Sequence, residues 1–368
     1  MLTPIEMSTL EASQESAARR GFEIASLDGL RAFSILLVFL SHTELNGIVP
    51  GGFGVTVFFF LSGYLITTLL RWEAESRGSI SLRNFYYRRC LRIFPPLYTA
   101  ITLGLILTLA RLLPNNMRAG GVLSQALFFT NYYMILGPHN VGLISGLSSL
   151  WSLAVEEHFY VLFPAMYVLL RRLVPTPSRQ LVVLGIVWLA ISLWRCALVW
   201  LWPFGDADVQ RASLATDTRL DSILIGCMLA VYENPAMGPS RLAQGTWKKL
   251  LGAGIAVLMI SFLLPGIHLR ESIRYSMQNW GLVPVFVCAI RWPDWLMFRW
   301  LNLGWVKFVG VLSYSLYLVH YPILSACERI MGNNAGEAIV GAALSLATAT
   351  AIYIAVERPC ARLRKRLR

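Results

Sequence analysis

Stretches of about 20 apolar residues recur down the chain, each closed by a short polar or charged segment, which is the pattern of helices that cross a bilayer. They fall near residues 28–45, 52–71, 93–113, 149–170, 180–202, 214–232, 250–267, 276–291, 304–327 and 335–356. The pattern predicts an all-α polytopic membrane protein, a bundle of about ten transmembrane helices. A membrane barrel would show shorter strands of alternating polarity instead. Residues 120–136 interrupt the series, because their apolar run carries Ser124, Gln125, Thr130 and Asn131. An odd span there would invert the orientation of everything after it, so 114–148 is read as an outward-facing, re-entrant segment, allowed only where protein or a cavity surrounds it.

Composition agrees. AVILMFWYC residues make up 56% of the 368, and the 28 glycines raise the apolar share to about 64%, where soluble domains have about 45–50%. Charged residues are 14%, and the mean hydropathy is +0.58. The net charge of +12 belongs to topology rather than to a nucleic-acid surface, since most Lys and Arg lie between the apolar runs. With ten spans, 23 of the 32 fall on one side and six on the other, which by the positive-inside rule puts both termini in the cytoplasm. The expected organisation is a cytoplasmic tail over 1–25, a transmembrane domain over 26–359 and a basic tail over 360–368, in a multi-pass inner-membrane protein. The six cysteines are scattered, with no CxxC and no histidine cluster, so neither a disulfide framework nor a metal site is expected.

Polar groups inside the apolar runs carry the candidate chemistry. In LDGLRAFSILLVFLSH, His42 follows Arg31 by eleven residues. On a helix that is about three turns, so the two share a face about 16 Å apart. The fourth run opens WSLAVEEHFY, with Glu156 and Glu157 in its first turns, and is expected to bring them to the depth of His42. Imidazole beside carboxylate is the pairing that makes a general base, whereas a carboxylate alone near a helix start answers only the macrodipole. In NFYYRRCLRIFPPLY, Arg89 and Arg92 form an i, i+3 fork next to Arg88, suited either to phosphates or to anionic lipid. Arg219 and Asp221 read as a buried ion pair, and His320 is a further intramembrane imidazole.

Seven segments in order, LDGLRAFSILLVFLSH, FFFLSGYLIT, RRCLRIFPPLY, SLAVEEHFY, RLDSILIG, YSLYLVHYPI and the closing ERP, resemble acyltransferase family 3 over residues 27–359. The resemblance implies a ten-span membrane enzyme that moves an acyl group, commonly acetyl, from cytoplasmic acyl-CoA to a sugar or macrolide hydroxyl. Its Arg-x10-His pattern falls on Arg31 and His42, its Arg-x-x-Arg pattern on Arg89 and Arg92, and its acidic motif on Glu156–Glu157. His158 departs from the more usual Gln, which opens the question of a second imidazole near the site.

Acyl transfer from a thioester to a hydroxyl needs a base and a grip on the donor. The expected roles are Arg88, Arg89 and Arg92 on the CoA phosphates, His42 as base with Arg31 on its stripe, and Glu156 or Glu157 orienting the imidazole. Ser41, Ser62 and Ser152 leave a covalent acyl-enzyme open beside direct transfer. The acceptor class is a saccharide, a glycolipid such as a lipooligosaccharide, or a macrolide, contacted by Asn131, Tyr132, Tyr133 and Asn140. No metal and no nucleic acid enter this reading. The rival from another class is a secondary transporter of an anion or protons, but the inverted repeats common in such carriers are not evident.

Overall fold

The computed structural model describes residues 24–137, 142–201, 206–332 and 334–366. The 1–25 tail lies almost wholly outside the described residues, as does Asn140. Every regular element among the described residues is a helix, apart from an isolated bridge between Met117 and Gly142.

Helices α1 (Leu27–Leu40), α2 (Gly51–Arg77) and α3 (Leu82–Leu109) come first, followed by short α4 (Ala119–Ala126) and α5 (Thr130–Leu136). Next are α6 (Leu150–Leu173), α7 (Pro177–Trp200), short α8 (Asp206–Leu214) and α9 (Thr216–Tyr232). The chain then forms α10 (Gln244–Phe262), α11 (Ile267–Ser272), α12 (Arg274–Arg291) and α13 (Leu296–Arg299). It ends with α14 (Gly304–Met331), α15 (Ala335–Ile352), a π turn over Tyr353–Glu357, and α16 (Arg358–Lys365).

Each of the ten apolar runs is helical, yet among the described residues only six helices are long and apolar enough to cross a bilayer, or seven if α12 and the sharply bent segment after it form one broken span. The shortfall has a physical cause. At 14 residues α1 is about 21 Å long, short of the roughly 30 Å of hydrocarbon. Buried α9, packed against α2, α7 and α12, carries Arg219 and Asp221 because protein rather than lipid surrounds them. By contrast, α7 and α15 are apolar on nearly all sides and exposed along most of their length, as lipid-facing helices are.

The tightest pairing joins α2 to α9. A Cβ on Gly63 would strike the Ile223 carbonyl, and one on Gly226 would strike that of Phe60, so the two backbones touch there. Helix α3 runs straight through Pro95–Pro96, which leaves the carbonyls of Leu91 and Arg92 without their helical donors. The arginines of RRCLR therefore lie inside a long helix, not in a loop at the bilayer surface.

Residues 142–148 fold back into the bundle. Ile144 and Leu147 are fully buried, and the Gln125 amide exchanges bonds with the backbone of Ile144 in both directions, at 3.1 and 3.3 Å. Gly146, at φ +77°, lies against Pro322 of α14, where a side chain would collide. Asn131 donates to the Leu214 carbonyl and to Thr216 Oγ1, tying α5 to the start of α9.

Candidate functional site

Because 142–149 runs buried before α6 begins, that helix starts inside the bundle and carries its acidic pair deeper than its place in the sequence suggests. Glu156 lines a cavity together with Arg31, Ser62, Arg89, Arg92, Tyr160 and Tyr317, enclosing about 780 Å³ including its open mouth. Glu156 thus shares its cavity with Arg31, while the His42 ring bonds to Val38 and His320. This corrects the expected pairing: neither carboxylate orients the His42 ring.

Glu156 instead anchors a hydrogen-bonded group. Ser62 donates to its Oε1 at 3.0 Å, and the Tyr160 hydroxyl lies 2.7 Å from Ser62 Oγ and 3.0 Å from Glu156 Oε2. The Arg89 guanidinium stacks on the Tyr160 ring at 3.5 Å. Glu157, next along the helix and so turned about 100° away, is buried outside the cavity lining with one oxygen unpartnered. Tyr160 follows Glu156 by four residues, a spacing that makes it a neighbour on any helix; that signal was present in the sequence.

Arg89 and Arg92 both face the cavity, as their i, i+3 spacing predicts. Arg89 Nε is buried without a protein partner, although an arginine has five donors to place. Arg88 points elsewhere and pairs with Glu73 at 2.9 Å, joining the end of α2 to the start of α3. Arg31 forms an ion pair with Asp28 at 2.6 Å.

His42 meets a different partner. Its Nδ1 lies 2.8 Å from the Val38 carbonyl and 3.4 Å from Nε2 of fully buried His320. The His320 Nδ1 faces the carbonyls of Tyr317 and Leu316, at 2.9 and 3.1 Å. A carbonyl only accepts, so both neutral rings carry their proton on Nδ1. His320 Nε2 then offers a lone pair toward His42, and the basic nitrogen of His42 is Nε2. Tyr321 packs on the His42 ring at 4.3 Å. Tyr317, one turn before His320, reaches the cavity and bonds to the Ser149 carbonyl and Ser152 Oγ. It connects the histidine pair to the arginine cavity.

Other expected groups serve as supports. Asp221 pairs with Arg195 at 2.8 Å, both fully buried, and not with Arg219. Residues two apart on a helix point about 200° apart, which makes the expected pair unreachable. Arg219 stacks on Tyr275 at 3.6 Å and donates to Thr56. His158, two residues past Glu156, turns away to Thr216 at 2.7 Å. Ser41 donates to the Val38 carbonyl, and Tyr132 to Asp217. The six cysteines are unpaired. Among the described residues no group of three His, Cys, Asp or Glu side chains is placed to hold a metal ion.

The fold and site define a helical protein with several helices long and apolar enough to cross a membrane, an arginine-lined internal cavity and an imidazole pair. The chain belongs to acyltransferase family 3, whose acyltransferase-domain model matches residues 24–357. It is 32% identical over 316 residues to the O-acetyltransferase OatA of Staphylococcus aureus, covering 82% of this chain and 50% of that protein. It is 29% identical over 323 residues to the peptidoglycan O-acetyltransferase OatA of Listeria monocytogenes, covering 84% and 50%. The putative peptidoglycan O-acetyltransferase YrhL of Bacillus subtilis is likewise 29% identical, over 325 residues. The chain spans about half the length of these relatives. No solved structure matches it.

Proposed function

We propose that this protein is an inner-membrane O-acyltransferase that moves acetyl from acyl-CoA to a hydroxyl of a cell-envelope saccharide. The names of its relatives make peptidoglycan or its precursors the first acceptor to test. The observation that carries the reading is the cavity itself: two arginines of one helix face inward beside Glu156, at one end of a helix whose other end holds an imidazole with its basic nitrogen fixed.

Arg89 and Arg92 hold the donor phosphates at the cytoplasmic mouth, and the pantetheine arm runs along the cavity past Arg31 and Tyr317. Such a long arm is what bridges the two ends of α1. His42 Nε2 takes the proton of the acceptor hydroxyl as its oxygen attacks the thioester carbon. The carbon–sulfur bond breaks, and the imidazolium returns the proton to the CoA thiolate. Val38 and His320 keep the His42 tautomer correct, the part played in serine hydrolases by a carboxylate. Both termini face the cytoplasm in this arrangement, which the lysine and arginine distribution favours when ten spans are counted.

The test is transfer from labelled acetyl-CoA in membranes holding equal amounts of parent and His42→Gln protein, with envelope saccharides as acceptors. A general base contributes about 10²–10⁴-fold, so the variant should fall by that much while donor binding persists. Equal rates would exclude His42 as the base.

A further inference from the structure

The arginines in and around the cavity are held in two different ways. Arg31 pairs with Asp28 and Arg88 with Glu73, so each spends guanidinium donors on a carboxylate. Arg89 is held by a ring. Its guanidinium carbon lies 3.5 Å from the centroid of the Tyr160 ring, so the planar group rests against the aromatic face. The five N–H donors of a guanidinium lie in its own plane, and a partner stacked on that plane consumes none of them. Arg89 lines the cavity, and its Nε is buried without a hydrogen-bond partner.

The ring that does the holding is itself fixed. Tyr160 is buried on α6, and its hydroxyl lies 3.0 Å from Glu156 Oε2 and 2.7 Å from Ser62 Oγ. Ser62 in turn donates to the other carboxylate oxygen, Oε1, at 3.0 Å. A phenol tied at its tip to two groups cannot turn about its own side-chain bonds without breaking both contacts, so the face it shows to Arg89 has one orientation. Glu156 is within electrostatic reach of Arg89 as well, but its hydrogen bonds go to Ser62 and Tyr160. The acid thus orients the ring, and the ring orients the guanidinium. Geometry set on α2 and α6 is passed in this way to a side chain of α3.

We propose that Tyr160 is a positioning residue of the donor site: its ring sets the plane of the Arg89 guanidinium so that the in-plane donors stay free for a phosphate group of acyl-CoA. This rests on the donor reading given above, and it adds a residue that shapes the phosphate site without bonding to phosphate. A carboxylate in the same place would also hold Arg89, but it would take up the fork of donors that matches phosphate oxygens. An aromatic face attracts the cation and leaves that fork open.

Binding of CoA is measured in nanodiscs of phosphatidylcholine for the parent, Tyr160→Leu, Tyr160→Phe, Arg89→Ala and Arg92→Ala, and for the double variants that join each tyrosine substitution to each arginine substitution. Tyr160→Leu should weaken binding roughly three- to thirtyfold, the worth of a cation–π stack. Tyr160→Phe keeps the ring but not its tether, and should lose about twofold or more while staying closer to the parent than Leu does. In the Arg89→Ala background neither substitution should cost anything further, because the ring has nothing left to position; beside Arg92→Ala each should cost its full factor. A tyrosine that only supported the fold would weaken both backgrounds alike. Losses that add in the Arg89→Ala background overturn the proposal, and so does parent-like binding by Tyr160→Leu. If Arg89→Ala itself binds CoA as the parent does, the donor reading fails and the proposal with it. Where Tyr160→Leu does not fold, the cycle built on Tyr160→Phe decides by the same criterion.

Discussion

His42 and His320 meet Nδ1 to Nε2 at 3.4 Å, with the His42 proton shared between that lone pair and the Val38 carbonyl 2.8 Å away. The pairing joins the end of α1 to the middle of α14 and leaves one nitrogen of His42 uncommitted. His320→Gln retains an acceptor for the His42 proton, whereas His320→Leu retains only shape. Transfer rates should therefore fall in the order parent, Gln, Leu, with donor affinity unchanged. The pH profile should move in the Leu variant if His320 sets the state of His42; a profile that keeps its position while the rate falls would mean that His320 only packs.

Arg89→Ala and Arg92→Ala should each weaken acyl-CoA binding by about 1.5–3 kcal/mol, the worth of hydrogen bonds made by a charged group. Arg88→Ala should leave the affinity alone, since its guanidinium pairs with Glu73 outside the cavity. Calorimetric titration of the purified proteins distinguishes these cases. Equal losses for all three would point to general electrostatic attraction rather than a defined fork.

The Arg195–Asp221 pair is fully buried and receives further bonds from Asn279 and Ser222. Removing one partner strands a charge in a dry interior, at a cost of about 3–5 kcal/mol. Arg195→Met and Asp221→Leu should each lower the unfolding midpoint sharply. The double variant should recover much of the loss, because no charge is left without its partner. An additive double variant would show that the pair is not coupled.

A cysteine at Asn115 should react with a membrane-impermeant maleimide applied from the outer side, and one at Ile144 or Leu147 should not. Asn115 is exposed, whereas the other two are fully buried in the returning segment. Cytoplasmic labelling at 115 would invert the proposed orientation. Labelling at 144 would mean that the segment opens.

The apolar runs were legible because they are long and repeated, and the arginine fork of α3 because i, i+3 spacing fixes a face whatever surrounds the helix. The depth of Glu156 was not legible. It depends on how far 142–149 penetrates the bundle, which is decided by tertiary contacts of Gln125, Gly146 and Ile144 and by nothing local to WSLAVEEHFY. The same holds for the partner of His42: an imidazole 278 positions away along the chain leaves no periodic trace. Arg219 and Asp221 are the opposite case, since helical geometry alone already forbids a pair two residues apart.

The seam at Gly63 and Gly226 lies one residue from Ser62, so the helix that carries Ser62 into the cavity is fixed from behind by main-chain contact with α9. Such a seam has no adjustable part: enlarging either glycine pushes α2 away from α9 and so shifts the helix that presents Ser62 to Glu156. Substitutions that reshape the cavity without moving this seam fall on its walls from α3, α6 and α14. The α2–α9 seam is the fixed reference against which those changes are made.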